Sequence, residues 1–203
     1  MIIGLTGESG AGKSTVAKFL EMSGFYIIDC DGISRTLDTD KEYVAQIERA
    51  FGAEAIHFSG GRKRVNRKAL GQMLFGKNAV SGNVEKLNAI SHPIIIAKVH
   101  AEIAHATEFG RSVIIDAPLL FESGLDKICY VTVGVIAPMA VRIARLCARD
   151  GITEDMARKR FEKQKDDAFL RANCTYIILN DGDSETLAAR VLSVTEKLAK
   201  GNK

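Results

Sequence analysis

The segment that most constrains how this 203-residue chain can fold is GESGAGKS, Gly7 to Ser14, which satisfies the pattern GxxxxGK[ST]. It follows the strand-like run IIGLT and precedes the helical pattern STVAKFLEM, the strand, loop and helix context that gives such a pattern its meaning. Glycines there let backbone N–H groups converge on phosphate oxygens at the positive end of a helix. Gly10, Ala11, Gly12, Lys13, Ser14 and Thr15 are therefore the candidate phosphate contacts. Lys13 is expected to reach the β and γ phosphates, and the Ser14 hydroxyl to ligate Mg²⁺. The bland alternative is a Gly-rich turn with a helix-capping Lys-Ser pair.

A loop of this kind holds a phosphate without saying what becomes of it. A GTP-hydrolysing switch needs a base-reading NKxD motif, and the nearest candidate, LNDGD, lacks the Lys. A phosphotransferase instead needs an acceptor pocket, a general base and a cover that excludes water.

Five apolar runs rich in β-branched residues read as buried strands: Ile2 to Thr6, Phe25 to Asp29, Ser112 to Ala117, Ile128 to Val135 and Thr175 to Leu179. Helical patterns separate them at Lys13 to Met22, Lys41 to Phe51, Arg67 to Phe75, Val80 to Ser91, Pro93 to Phe109, Pro138 to Arg149, Glu154 to Gln164 and Ser184 to Lys200. This alternation predicts an α/β fold of three layers, with a five-stranded parallel sheet between helices. About 80 residues of mostly helical pattern lie between the second and third strands, far more than one crossover helix requires. The chain is thus expected to be one unit with a core at about 1–35, 110–140 and 173–203, a helical insertion at about 36–109 that could supply the acceptor pocket, and a helical lid at about 141–172.

In an open parallel sheet ligands sit at the carboxyl ends of strands. The second strand ends FYIIDCDGISR, and period-two spacing would put Asp29 and Asp31 on one side with Cys30 facing away. Asp31 lies past the apolar run, so it is the candidate general base for an acceptor hydroxyl; the other reading is a cap for a helix beginning near Gly32. The third strand ends SVIIDAP. Asp116 there is either a Mg²⁺ ligand or part of a strand-terminating turn.

From Arg142 to Arg171 there are nine Lys/Arg against six Asp/Glu, an excess equal to the net charge of +3 of the whole chain. Arg142, Arg145 and Arg149, at i, i+3 and i+7, share a helical face. After a Gly-containing turn and a Thr153 cap, a second helix bears Arg158, Arg160 and Lys163. The pair can form a lid whose arginines stabilise a transferring phosphoryl group, or a solvated hairpin paired through Asp150, Glu154, Asp155 and Glu162.

The chain is 46% hydrophobic and 26% charged, which argues against disorder. Its small net charge gives no indication of a nucleic-acid partner. The basic turn GGRKRVNRK reads as a solvated loop, although Arg62, Lys63 and Arg64 could meet phosphates. The four cysteines form no CxxC pair and read as reduced thiols. No apolar run is long enough to span a bilayer and no cleavable leader is apparent, so a cytoplasmic location is expected.

Taken in order, GLTGESGAGKS, FYIIDCDGISR, RVNRKALGQMLF, LNAISHPII, DAPLLFESGLD, RLCARDGITEDMARKRFEKQ and YIILNDGD resemble the dephospho-CoA kinase family over roughly Ile3 to Gly182. The resemblance implies a phosphate-loop kinase that transfers the γ-phosphoryl group of ATP, with Mg²⁺, to the ribose 3′-hydroxyl of dephospho-CoA, the last step of coenzyme A synthesis. It implies a nucleotide core, a CoA-binding insertion and a lid. Asp31 matches the family's proposed base, and Arg145 and Arg149 match lid arginines. Arg35, His92, Pro118, Leu119, Leu120 and Glu122 match the acceptor side, Arg67 matches a pocket arginine, and Asn180 with Gly182 matches the loop beside adenine. Taken without the resemblance, Ser91 would cap a helix begun by Pro93, and His92 would merely pack there. Cys174 and Thr175 stand where the family usually has Ala-Asp. The expected partners are the two small substrates, with no nucleic acid and no membrane, for a monomer or weak homo-oligomer. The alternatives are another small-molecule kinase of the same core, or an ATP-dependent switch without an acceptor.

Overall fold

A computed structural model describes residues 1–76, 79–161 and 165–200. Its central feature is a five-stranded sheet in the order β2 (Tyr26–Asp29), β5 (Val113–Asp116), β1 (Ile2–Gly7), β6 (Val131–Ile136) and β7 (Tyr176–Leu179). The β1–β5, β1–β6 and β6–β7 pairs are parallel, with Leu5 opposite Asp116 and Val133. Each strand is nearly all apolar because both faces are covered.

Along β1, Ile3 and Leu5 point to one face and meet α1 (Lys13–Met22) through Val16, Ala17 and Leu20, and α9 (Ser184–Lys200) through Leu187, Val191 and Val194. Burying such a Leu or Ile contributes about 1.5–3 kcal/mol relative to leaving it exposed. The opposite face is closed by the turn Pro118–Gly124 and by α8 (Asp167–Asn173). A Cβ on Gly4 would come within 2.7 Å of the Leu120 side chain, so glycine is what lets that turn lie flat on β1.

The chain divides into two compact units, Met1–Ile28 with Glu102–Lys203, and Asp29–Ala101. The second has its own core of Leu37, Tyr43, Val44, Ile47, Ala55, Val65 and Leu70, closed by Phe51, Ile56, Leu87, Ile90 and Ile94. Its elements are α2 (Cys30–Thr36), α3 (Lys41–Phe51), the antiparallel hairpin β3 (Ile56–Ser59) and β4 (Arg62–Val65), α4 (Arg67–Phe75) and the first part of α5 (Asn83–Glu108).

Three expectations are corrected here. The hairpin replaces the basic loop: Gly60 and Gly61 both take positive φ, as two-residue hairpin turns require, and Phe58 pairs with Lys63. The two helices expected on either side of His92 are one, α5, with Pro93 inside. Pro93 leaves the Ala89 carbonyl without its i+4 donor, at a cost of about 3 kcal/mol. Ile90, Ile94 and Ile95 packing into the unit's core offset that cost, and Ser91 bonds Tyr43 instead of capping. The third correction is α2, which begins at Cys30, directly after the expected strand end at Asp29, so the period-two alternation does not carry on to Asp31. The helix expected to run to Gln164 is α7 (Glu154–Phe161); its last expected residues, with Glu162 and Lys163, lie outside the described residues.

Candidate functional site

The phosphate loop runs from the end of β1 into α1. Gly10 and Gly12 hold φ of 79° and 90°, a left-handed conformation that side chains resist. Gly12 is the N-cap, and the backbone N–H groups of Lys13 and Ser14 follow in the first turn, where no carbonyl four residues earlier accepts them. The Ala11 N–H donates to the Glu8 carbonyl at 3.0 Å, closing the loop into a tight turn. Ser14 and Thr15 are exposed at the helix mouth. Backbone N–H groups gathered at the N-terminus of a helix are an arrangement that suits an anion.

Asp116, at the carboxyl end of the neighbouring β5, forms an ion pair with Lys13 Nζ; their side chains are 10% and 16% exposed. A carboxylate that holds the phosphate-loop lysine, beside the Ser14 helix turn, gives hard oxygen donors of the kind Mg²⁺ takes from protein before completing its shell with phosphate oxygens and water. Among the described residues there is no group of three or more His, Cys, Asp or Glu placed to hold a metal.

Behind the loop, the arginines of α6 (Met139–Asp150) divide into different tasks. Arg142 is only 3% exposed and does not share a solvent face with Arg149, a correction to the three-arginine stripe. Its Nε donates to the Ser9 carbonyl at 3.2 Å, its Nη1 lies 2.7 Å from Glu8 Oε2, and its guanidinium stacks 4.0 Å from the centre of the Phe161 ring. Ile143 and Leu146 are buried on the same side. That apolar spacing was the signal that Arg142 faces inward. Arg145 Nη1 donates to the Gly10 carbonyl at 3.3 Å, and its Nη2 to Asn180 Oδ1 at 3.2 Å. Arg149 is exposed and bidentate on Asp150 at 2.7 and 3.0 Å, and Arg160 joins the same carboxylate at 2.6 Å. Those two guanidiniums hold the Asp150 carboxyl well below the usual carboxylate range. The Thr153 cap is present, its hydroxyl accepting from the Met156 N–H at 3.4 Å.

Asn180, just past β7, is 4% exposed. Its Nδ2 donates to the Ala11 carbonyl at 2.8 Å, its own N–H to Ile136, and its Oδ1 accepts from Arg145. A Cβ on Gly12 would overlap Asn180 Nδ2, so glycine is required there sterically as well as conformationally. Gly182 follows in an exposed turn against Thr186.

Pro118, Leu119 and Glu122 line a small cleft of about 30 Å³ together with Thr6, Glu8 and Lys165. Leu120 does not join them: fully buried against β1, it supports the turn from beneath and is not available as a substrate wall.

The remaining candidates belong to the second unit. Asp29 and Asp31 do not alternate along a strand, because α2 starts at Cys30; Asp29 occupies the N-cap position and Asp31 the first helical turn, so Asp31 is not the cap either. A carboxylate in a helix's first turn is favoured by the helix dipole, and this one is exposed. Arg35 is exposed at the end of α2. Arg67 is tied to Asp38 and to the Ser34 carbonyl, which fixes α4 to the end of α2. His92 is half-buried in α5. None of the four cysteines is in a disulfide. Among the described residues no helix is long and apolar enough to cross a membrane.

Residues 1–186 match the family model described as dephospho-CoA kinase. A dephospho-CoA kinase of Salinibacter ruber is 36% identical over 182 residues, 89% of this chain and 88% of that protein. One from Fusobacterium nucleatum is 34% identical over 94% of this chain and 95% of its own. Among solved structures, TT1252 from Thermus thermophilus superposes with a TM-score of 0.82 at 30% identity, covering 98% of this chain and 97% of that one. A dephospho-CoA kinase from Campylobacter jejuni shares the fold, with a TM-score of 0.71 at 22% identity over 100% of this chain and 98% of its own.

Proposed function

The chain belongs to the dephospho-CoA kinase family, and on that premise we infer that it passes the γ-phosphoryl group of ATP to the ribose 3′-hydroxyl of dephospho-CoA, forming coenzyme A. The observation that carries the reading is the match to that family across residues 1–186, joined to a phosphate loop whose lysine is paired with the strand-end Asp116.

ATP lies with its phosphates on the backbone N–H groups of Gly10 to Thr15, and Lys13 exchanges part of its contact with Asp116 for the β and γ oxygens. Ser14 and Asp116 would hold Mg²⁺, which would offset the negative charge of the phosphates. Arg145 keeps the Gly10 and Asn180 side of the loop in place, and Arg149 leaves Asp150 to meet the transferring group. Little covalent work falls to the protein in such a transfer, so positioning and charge stabilisation supply most of the rate.

Asp31 accepts the proton of the acceptor hydroxyl. Its support is the exposed carboxylate two residues past the end of β2, and the match of IDCDG to the family's strand end. The unit Asp29–Ala101 serves as the acceptor-binding insertion, with Arg35, Arg67 and His92 contributing, while Pro118, Leu119 and Glu122 contribute from the turn after β5. α6 and α7 serve as the lid. The protein works in the cytoplasm as a monomer or weak homo-oligomer, with ATP and dephospho-CoA as its partners.

The test offers ATP with dephospho-CoA, AMP, shikimate or gluconate at equal concentration and measures initial rates of ADP formation. A preference for dephospho-CoA by orders of magnitude is expected. Equal rates, or a preference for another acceptor, would remove the substrate assignment and leave a kinase of different specificity.

A further inference from the structure

Glu8 stands in the phosphate loop ahead of the residues assigned to the phosphates, and the structure surrounds it with charge. From α6 comes Arg142, with Nη1 2.7 Å from Glu8 Oε2; from α8 comes the Asp167 carboxyl. Lys165, before α8, and Glu122, after β5, line the same cleft, and Lys13 is already taken by Asp116. The Glu8 and Arg142 side chains are 5% and 4% exposed. Lys165 lies over the Phe169 ring in an exposed position.

The charge count in this buried cluster is uneven, with two carboxyls against one guanidinium. Glu8 Oε2, Arg142 Nη2 and Asp167 Oδ1 are all buried without an aligned hydrogen-bond partner. Two carboxylates sharing a buried site do not both ionise when only one cation balances them, and the proton goes to the more desolvated of the two. Glu8 is buried, whereas Asp167 is half-exposed at the start of a helix.

We propose that Glu8 is a positioning residue that works in its neutral form: its carboxyl keeps a proton and through it donates a hydrogen bond to Asp167, while Arg142, left to balance a single carboxylate, fixes the loop backbone at Ser9 and Gly10 for the donor phosphates. The close approach supports this. A Cβ on Gly10 would lie 2.7 Å from the Arg142 carbonyl, and Arg142 Nε already holds the Ser9 carbonyl. Burial first, and then the Asp167 carboxylate, push the Glu8 carboxyl up to about 7, against the lowering pull of Arg142. Loss of the proton puts one net negative charge behind a loop that must receive a polyanion. ATP affinity therefore declines as pH rises through this range.

The inference rests on the ATP-binding reading of the loop, so its test uses nucleotide binding without acceptor. ATP dissociation constants are measured for the wild type and for Glu8→Gln from pH 6 to 8.5, and their ratio is taken, which cancels the titration of ATP itself. The ratio is expected to change by about tenfold across the range, the change that one unit of ATP-induced pKa shift in Glu8 carries. A ratio flat with pH overturns the proposal. Steady-state assays should place the same pH-dependent difference in KM for ATP, whereas a purely structural Glu8 would give a constant difference at every pH. Carboxyl-carbon NMR needs no variant at position 8: the Glu8 resonance should titrate above pH 6 in the wild type and move to lower pH in Asp167→Asn. Titration below pH 5 in the wild type refutes the shared proton. A failure of dephospho-CoA to be phosphorylated would leave all these readouts standing, so the two readings fail separately.

Discussion

Asn180→Ala separates two tasks that the sequence could not distinguish, contact with adenine and support of the phosphate loop. Removing the side chain leaves the Ala11 carbonyl, buried and bonded at 2.8 Å in the wild type, without a donor. An orphaned buried acceptor costs about 1–3 kcal/mol. The lost Arg145 contact at 3.2 Å adds less, because that half-buried guanidinium also faces the Gly10 and Asn180 carbonyls at 3.3 and 3.5 Å. Together the two losses come to about 2–3 kcal/mol, and with a urea m-value of about 2 kcal/mol/M the midpoint should fall by about 1–1.5 M. Because the bond anchors the loop just before Gly12, affinity for ATP and GTP should drop together, as calorimetry at one Mg²⁺ concentration would show. A midpoint within about 0.3 M of wild type, with ATP binding reduced and GTP binding unchanged, would refute the loop-anchor account and restore a direct adenine contact.

Asp31→Asn should lower turnover by at least about a hundredfold, the low end of what a general base contributes, with ATP binding nearly intact. Near-normal turnover would reduce Asp31 to a favourable charge in the first turn of α2. Arg149→Lys keeps the charge but loses the planar fork, so turnover should fall while stability changes by less than about 0.5 kcal/mol, since its pair with Asp150 is exposed; unaltered turnover would leave it a surface ion pair. Tyr43→Phe removes a hydroxyl hydrogen-bonded to Ser91 at 2.9 Å in the core of the second unit and should cost about 1 kcal/mol in urea unfolding, whereas no loss would show that the bond merely replaces one to water.

What the sequence made legible is what local chemistry determines. The helices Lys13–Met22, Lys41–Phe51 and Arg67–Phe75 keep the expected bounds because apolar spacing and flanking residues agree, with Asp40 and Asn66 capping the latter two. The phosphate loop was readable because its glycines answer to backbone geometry alone. The hairpin around Gly60-Gly61 had its signal in FSGGRKR, hidden by the dense basic residues. Pro93 reads as a helix boundary in any sequence, and only tertiary burial of the isoleucines around it overrides that preference. At the strand end of IDCDG, the alternation of a strand and the first turn of a helix predict opposite placements for Asp31, and four residues of apolar pattern cannot choose between them.

The site followed the same division. Lys13, Ser14 and Asp116 stood out by position in the strand–loop–helix frame. The inward turn of Arg142, the Glu8 pair it forms and the anchoring of Asn180 beneath Ala11 are long-range contacts between segments more than 100 residues apart. Arg142 and Arg149 look alike in the sequence, yet one is buried among the loop carbonyls and the other lies in solvent. The apolar partners at Ile143 and Leu146 marked the difference; the charges did not.

Transfer to a second molecule is what separates a kinase from a switch at GESGAGKS. Phosphorus NMR of a mixture of the protein, Mg²⁺, ATP and dephospho-CoA tests this most directly. One new phosphomonoester resonance, at the ribose 3′ position, should grow in step with ADP and with no inorganic phosphate. Release of inorganic phosphate with dephospho-CoA unchanged would contradict it and point to a nucleotide-driven switch.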